Sequence, residues 1–178
     1  MELVLNNPFR VLGLQATAST RDITKRVSDL ETFAELGKSK AFPHDLPRLG
    51  ALDRSLEAIK DAARKIEQAE GRLFHSFFWF RAGDSVDELA LESLAAGNID
   101  EAIELWNKQL GKKGSKKYTW RLNRSVIRLL KANGGVLNRE EMDEALEDIG
   151  FVIDDDLEDS IQDVLFGNES GLNRESLW

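Results

Sequence analysis

A histidine beside a carboxylate is raw material for proton transfer. This chain of 178 residues offers that pairing at His44-Asp45, inside the loop Phe42-Pro43-His44-Asp45-Leu46-Pro47. Its only other histidine, His75, stands next to the aromatic run Phe77-Phe78-Trp79-Phe80. A catalytic histidine also needs a nucleophile and an orienting partner, and no nucleophile is marked near either position. A loop contact is therefore expected for His44 and a packed side chain for His75. Cysteine is absent, which removes thiolate metal sites, a cysteine nucleophile and disulfides.

Carboxylates are abundant, but no pair is singled out for acid–base work. Asp154-Asp155-Asp156 with Glu158-Asp159 could attract a cation. Acids there also suit the positive end of a helix over 157–166, so a metal is not expected. A calcium-loop register centred on Val136 fails, because Leu129 and Lys131 would fall on ligand positions and neither coordinates calcium. The expectation is a protein that is not an enzyme and holds no cofactor or metal.

Lys112, Lys113, Lys116 and Lys117 form a basic cluster followed by Tyr118 and Trp120. Cations interleaved with aromatics can hold phosphate or single-stranded nucleic acid. The spacing after Gly111 is not that of a phosphate-binding loop. A solvated turn is the expected role, with contact to the acidic end of the chain as the next option. That end is pronounced: residues 135–178 hold 14 acidic and 2 basic residues, against an overall net charge of −8. Such a region repels nucleic acid and could instead dock on a basic face of the same chain or of a partner.

These side chains are positioned by helices. Asn7-Pro8 and Gly13 bracket a helix over 8–12, and Ser19 with Asp22 caps an amphipathic one ending near Gly37. Residues 38–50 form a proline-interrupted loop. A third helix is expected over 51–70 and a fourth, apolar one from Arg72 to Phe80, with Gly71 between them. The pair 86–96 and 99–110 turns at Gly97-Asn98. Helices over 118–130, 138–149 and 157–166 follow, and Gly150–Ile153 is a short β-leaning candidate. No apolar run approaches the ~20 residues of a membrane span. The N-terminus lacks the basic flank and apolar stretch of a signal peptide, so cytoplasm is the expected location.

The opening Asn7-Pro8-Phe9-Arg10-Val11-Leu12-Gly13-Leu14, then Ala16-Thr17-Ala18-Ser19 with Asp22-Ile23, then Leu56, Ile59, Ala62-Ala63, Ile66 and Arg72 resemble blocks of the J-domain. This is the module of DnaJ-type co-chaperones, and the blocks span roughly residues 7–76. The resemblance implies a J-like three-helix scaffold. Where the family carries His-Pro-Asp, this chain has Glu35-Leu36-Gly37; Pro43-His44-Asp45 holds the same residue types, permuted and about eight residues later. The family's basic second helix meets an acidic chaperone surface, whereas here Lys25 and Arg26 are followed by Asp29, Glu31 and Glu35. The loop Asp45-Leu46-Pro47-Arg48-Leu49-Gly50 and the aromatic run are similar to those of bacterial J-like proteins, which would make the loop a feature of a distinct J-like branch. Leu89, Gly97, Ala102 and Trp106 resemble, weakly, one tetratricopeptide-type helical pair.

The expected architecture is all-α: a J-like unit over 1–81 packed on a helical region over 82–178 of four to five helices. The expected function is a non-catalytic protein–protein adaptor or accessory subunit. Its partner-binding residues would be Phe42–Pro47 and Phe77–Phe80. The alternative is a DnaJ-type co-chaperone that still engages a heat-shock chaperone ATPase. A phosphate or nucleic-acid binder acting through the lysine cluster stands third.

Overall fold

Polar caps and glycines cut the chain where their chemistry requires. The Asn7 side chain accepts from Phe9 N, Pro8 occupies the first turn, and Gly13 closes the helix in the left-handed region at φ 64°. Ser19 and Asp22 exchange side-chain and backbone hydrogen bonds, starting a 16-residue helix. The structure, a computed structural model, describes residues 2–112, 117–132 and 138–166, without the side chain of His44. Among these residues helix is the only regular secondary structure.

The elements are α1 (Glu2–Leu5), α2 (Pro8–Leu12), α3 (Thr20–Glu35), α4 (Leu56–Lys65), α5 (Ala69–Ser76), α6 (Ser85–Ala96), α7 (Ile99–Leu110), α8 (Tyr118–Ala132), α9 (Arg139–Asp155) and α10 (Leu157–Phe166). Two short 3₁₀ turns, Pro43–Asp45 and Pro47–Leu49, occupy the long loop between α3 and α4. α2 packs on α3 and α4, α6 pairs with α7, α8 with α9, and α10 lies against α5. Helix α8 also touches α7 and α6.

One apolar cluster runs through both halves of the chain. It joins Phe9, Leu12, Leu30 and Ile59 to Trp79 and Phe80, and these to Ala90, Leu94, Trp106 and Ile127. Arg81, where the two halves were expected to meet, is fully buried. A smaller cluster gathers Tyr118, Leu122 and Val152 under Phe77 and Ile149.

Four features differ from the sequence-based expectation. The helix expected over 51–70 is split between α4 and the first two residues of α5. Asp53 accepts from Ser55 N at 2.8 Å and Ser55 Oγ from Ala58 N at 3.2 Å, so capping delays the helix to Leu56. Gly71 lies within α5 and is no break; a Cβ there would collide with the Lys65 carbonyl, so the glycine permits a close chain approach. The helix expected to Phe80 stops at Ser76, which frees Trp79 and Phe80 to turn into the core together. Gly150–Ile153 is helical, because α9 continues through Gly150 to bury Val152 and no strand stands among the described residues to pair with it.

Candidate functional site

The loop of expected partner-binding residues is held from within. The Asp45 carboxylate accepts from Phe42 N at 2.8 Å and from Arg54 Nη1 at 2.8 Å, and Arg54 Nη2 closes a bidentate pair. Arg54 also donates to the carbonyls of Val11 and Lys40, both at 2.7 Å. Arg10 reaches the Leu5, Asp45 and Gly50 carbonyls at 2.7, 3.2 and 2.8 Å. Arg26 bonds the Gly13 carbonyl at 2.8 Å and lies 3.8 Å from the Phe42 ring centroid.

Arg26 and Arg54 thus meet the C-terminal end of α2, where helix carbonyls lack partners and the dipole is negative, while Arg10 does the same for the last carbonyl of α1 and ties it to the loop. Burial pulls the Arg10 and Arg26 pKa values down, against support from Asp45 and, for Arg26, Asp29. Leu46 adopts φ 47°, a left-handed conformation unusual for a branched residue, and is buried.

Trp79 and Phe80 are 1% and 3% exposed, and Trp79 Nε1 donates to the Leu14 carbonyl at 2.9 Å. Pro43 and Leu46 meet them, with Gln15 and Leu91, around a crevice of about 20 Å³, room for little more than one water. The loop and the aromatic run, proposed from sequence as two surfaces, therefore touch each other. Phe77 packs on the Tyr118 cluster, and half-buried Phe78 contacts Phe74 at 5.4 Å between ring centroids. Of the lysine cluster, Lys113 and Lys116 lie outside the described residues. Lys112 bonds Gln109 at 2.6 Å. Lys117 pairs with Asp84, the N-cap of α6, at 2.6 Å, and so meets α6 and not the acidic end.

The acidic end docks elsewhere. Along α8, Arg121, Arg124, Arg128 and Lys131 repeat at helical spacing and face Glu141, Glu144 and Asp148 of α9. Arg124 grips Asp148, only 1% exposed, through two bonds of 2.7 and 2.6 Å, and Arg121 adds a third at 3.2 Å. Lys131 reaches Glu141 at 2.9 Å. The Glu141 pKa is raised by burial, but hydrogen bonds from Lys131 and Arg128 outweigh that and leave it lowered.

A second polar centre sits at the α5–α6 connection. Asp87, fully buried, accepts from Trp106 Nε1 at 2.9 Å, Asn123 Nδ2 at 2.8 Å and Gly83 N at 3.0 Å. Desolvation prevails and raises its pKa. Asn123 also brackets the Arg81 backbone, accepting from its N at 3.0 Å and donating to its O at 2.7 Å. The Arg81 guanidinium reaches the Ser76 carbonyl at 2.6 Å and Ser160 at 3.3 Å. Tyr118 donates to Asp163 beside it, and burial pushes the tyrosine pKa up.

An open groove of about 430 Å³ lies between α3 and the α4–α5 segment. Ile23, Val27, Ala63 and Ile66 supply its apolar lining, while Glu31, Lys60, Arg64 and Glu67 add both signs of charge.

Sequence reasoning missed Arg10, Arg26 and Arg54, whose roles depend on carbonyls brought in from distant segments. It also missed Asp87 and Asn123, polar residues on otherwise apolar helix faces, a pattern that signals a buried hydrogen-bond centre. The α8–α9 ladder did carry a signal, opposite charges recurring at three- and four-residue intervals on consecutive helices. Among the described residues, no group of three or more histidine or carboxylate side chains is placed to hold a metal, and no helix is long and apolar enough to cross a membrane. Comparison with family models, curated proteins and solved structures finds no match to this chain.

Proposed function

We propose that the chain is a non-catalytic protein–protein adaptor or accessory subunit built on a J-like scaffold. The observation that carries this reading is the open groove between α3 and α4, the two helices that form the body of the J-like unit. Its apolar lining and mixed-charge margins suit a segment of another protein, whose apolar residues would fill the floor while its charges meet the rim. The buried charged side chains support the same reading. Arg10, Asp45, Asp87 and Asp148 are engaged by backbone groups or by other side chains of the fold, so their chemistry is spent on structure.

The test is purification of the tagged protein under gentle conditions with identification of what co-elutes. A stoichiometric partner is expected, and Ala63→Arg, which fills the groove, should remove it without changing thermal unfolding. Isolation of the protein alone would sink the reading.

The co-chaperone alternative makes a different prediction, stimulation of a heat-shock chaperone ATPase. Asp45 is the anchor of its loop, so Asp45→Ala would dismantle the loop as well as any signal it carries. Lys25→Glu on the exposed face of α3 is the informative change, since it reverses a charge in the helix that resembles the chaperone-facing one.

A further inference from the structure

Helix α9 has two acidic faces, and the fold uses one of them. On the inner face, Ala145 and Val152 are fully buried and Glu141, Glu144 and Asp148 receive the basic row of α8. On the outer face, Leu146 and Ile153 are 56% and 47% exposed. They stand seven residues apart, two helical turns or about 10 Å along the axis. Half-buried Met142 extends the same apolar row, and half-buried Ile149 joins it to the Tyr118 cluster beneath. Asp143, Glu147 and Asp154, all exposed, stand beside it, Asp143 paired at 3.7 Å with Arg139 one turn earlier. Gly150 lies between the two exposed aliphatics, and a Cβ there would meet no atom within 4 Å, so the helix backbone is open to close approach.

The outer face thus resembles the inner one in kind, an apolar row flanked by carboxylates, here Glu147 and Asp154 two turns apart. The inner face shows what such a surface accepts, a helix carrying arginine and lysine at i, i+3, i+7 and i+10. We infer that the outer face of α9 docks a basic amphipathic helix of another protein. Its apolar stripe would lie on Leu146 and Ile153, and its cations would meet Glu147 and Asp154. The chain's own matching helix, α8, is already committed to the inner face and leaves the outer one to another helix. This extends the adaptor reading to a second surface, on the opposite half of the chain from the α3–α4 groove.

The test uses a labelled peptide of about 14 residues, with leucines in one helical stripe flanked by lysines, and an isomer of equal charge in which the stripe is scrambled. Fluorescence anisotropy should show the striped peptide binding about tenfold tighter than its isomer. The double variant Leu146→Ser/Ile153→Ser should weaken it about tenfold with unchanged thermal unfolding. Raising salt from about 50 to about 500 mM should weaken it further, because exposed charges are screened. Equal binding of the two peptides, or no loss in the double variant, would reduce the effect to general charge attraction and overturn the inference. So would absence of binding. A concentration-dependent dimer of the chain alone, lost in the double variant, would assign the face to a second copy and overturn it as well. Ala63→Arg should leave peptide binding unchanged, so failure of the groove and failure of this face are read separately.

Discussion

At the loop following α3, arginines hold main chain; along α8, arginines hold side chains. Arg10, Arg26 and Arg54 donate mostly to carbonyls of α1, α2 and the loop, with the single carboxylate of Asp45 at their centre. Arg121, Arg124 and Arg128 instead form a ladder with carboxylates one helix away. The loop has no regular hydrogen-bond pattern of its own, so side chains must satisfy its carbonyls. The α8–α9 pair satisfies its backbone internally and needs the ladder only to set register and orientation. Removing a loop arginine strands backbone and carboxylate together, whereas removing a ladder residue leaves partners that can turn toward water.

That contrast ranks the expected losses. Arg54→Ala should be the most damaging, about 3–5 kcal/mol in denaturant unfolding, because it leaves Asp45 buried and unpaired. Arg54→Lys should restore little, since a lysine cannot bridge carboxylate and two carbonyls in one plane. Asp148→Ala should cost about 2–3 kcal/mol, because Arg121 and Arg124 keep 21% and 17% side-chain exposure through which to rehydrate. A larger loss at Asp148 than at Arg54 would reverse the comparison. Lys131→Ala, at a position 35% exposed, should cost only about 0.5 kcal/mol.

The smallest effect is in pH dependence, and its sign differs between two carboxylates. Glu141 titrates below its ordinary value in the fold, so its contribution is complete above the unfolded pKa and is lost as pH falls through the folded one. Acid unfolding followed by circular dichroism should therefore be shallower in Glu141→Gln. Asp87 titrates above its ordinary value of 3.8, so its favourable protonation is complete below that value and fades as pH rises through the folded pKa. Asp87→Asn should steepen the acid limb relative to wild type. The same sign of change in both variants would show that the two carboxylates do not occupy opposed environments.

Much of the helix pattern was legible because it is local. Asn7-Pro8-Phe9 with Gly13, and Ser19 with Asp22, specify their helix ends within a few residues of chain, and the structure places those ends at Pro8, Gly13 and Thr20. Ile99–Leu110 and Leu157–Phe166 likewise end where punctuation and periodicity put them. The limits of α4 and α5 were not legible, since Gly71 reads as a break until the Lys65 carbonyl is brought against it. Nor was the engagement of Asp45: a residue beside a histidine in a proline loop suggests chemistry, and only Arg54, nine positions away, turns it into an anchor.

What this sequence determined by itself is its division into helices, its lack of thiol chemistry and the concentration of negative charge after residue 135. Each follows from composition or from contacts within a turn or two of helix. The tertiary structure decided which charges are spent and which remain. It sent Asp148 to Arg124 and left Glu147 in water, and it turned Trp79 inward while leaving Leu146 exposed. The physical reason is that burial and pairing depend on which faces of separate helices meet, a property of their packing that no single stretch of chain contains.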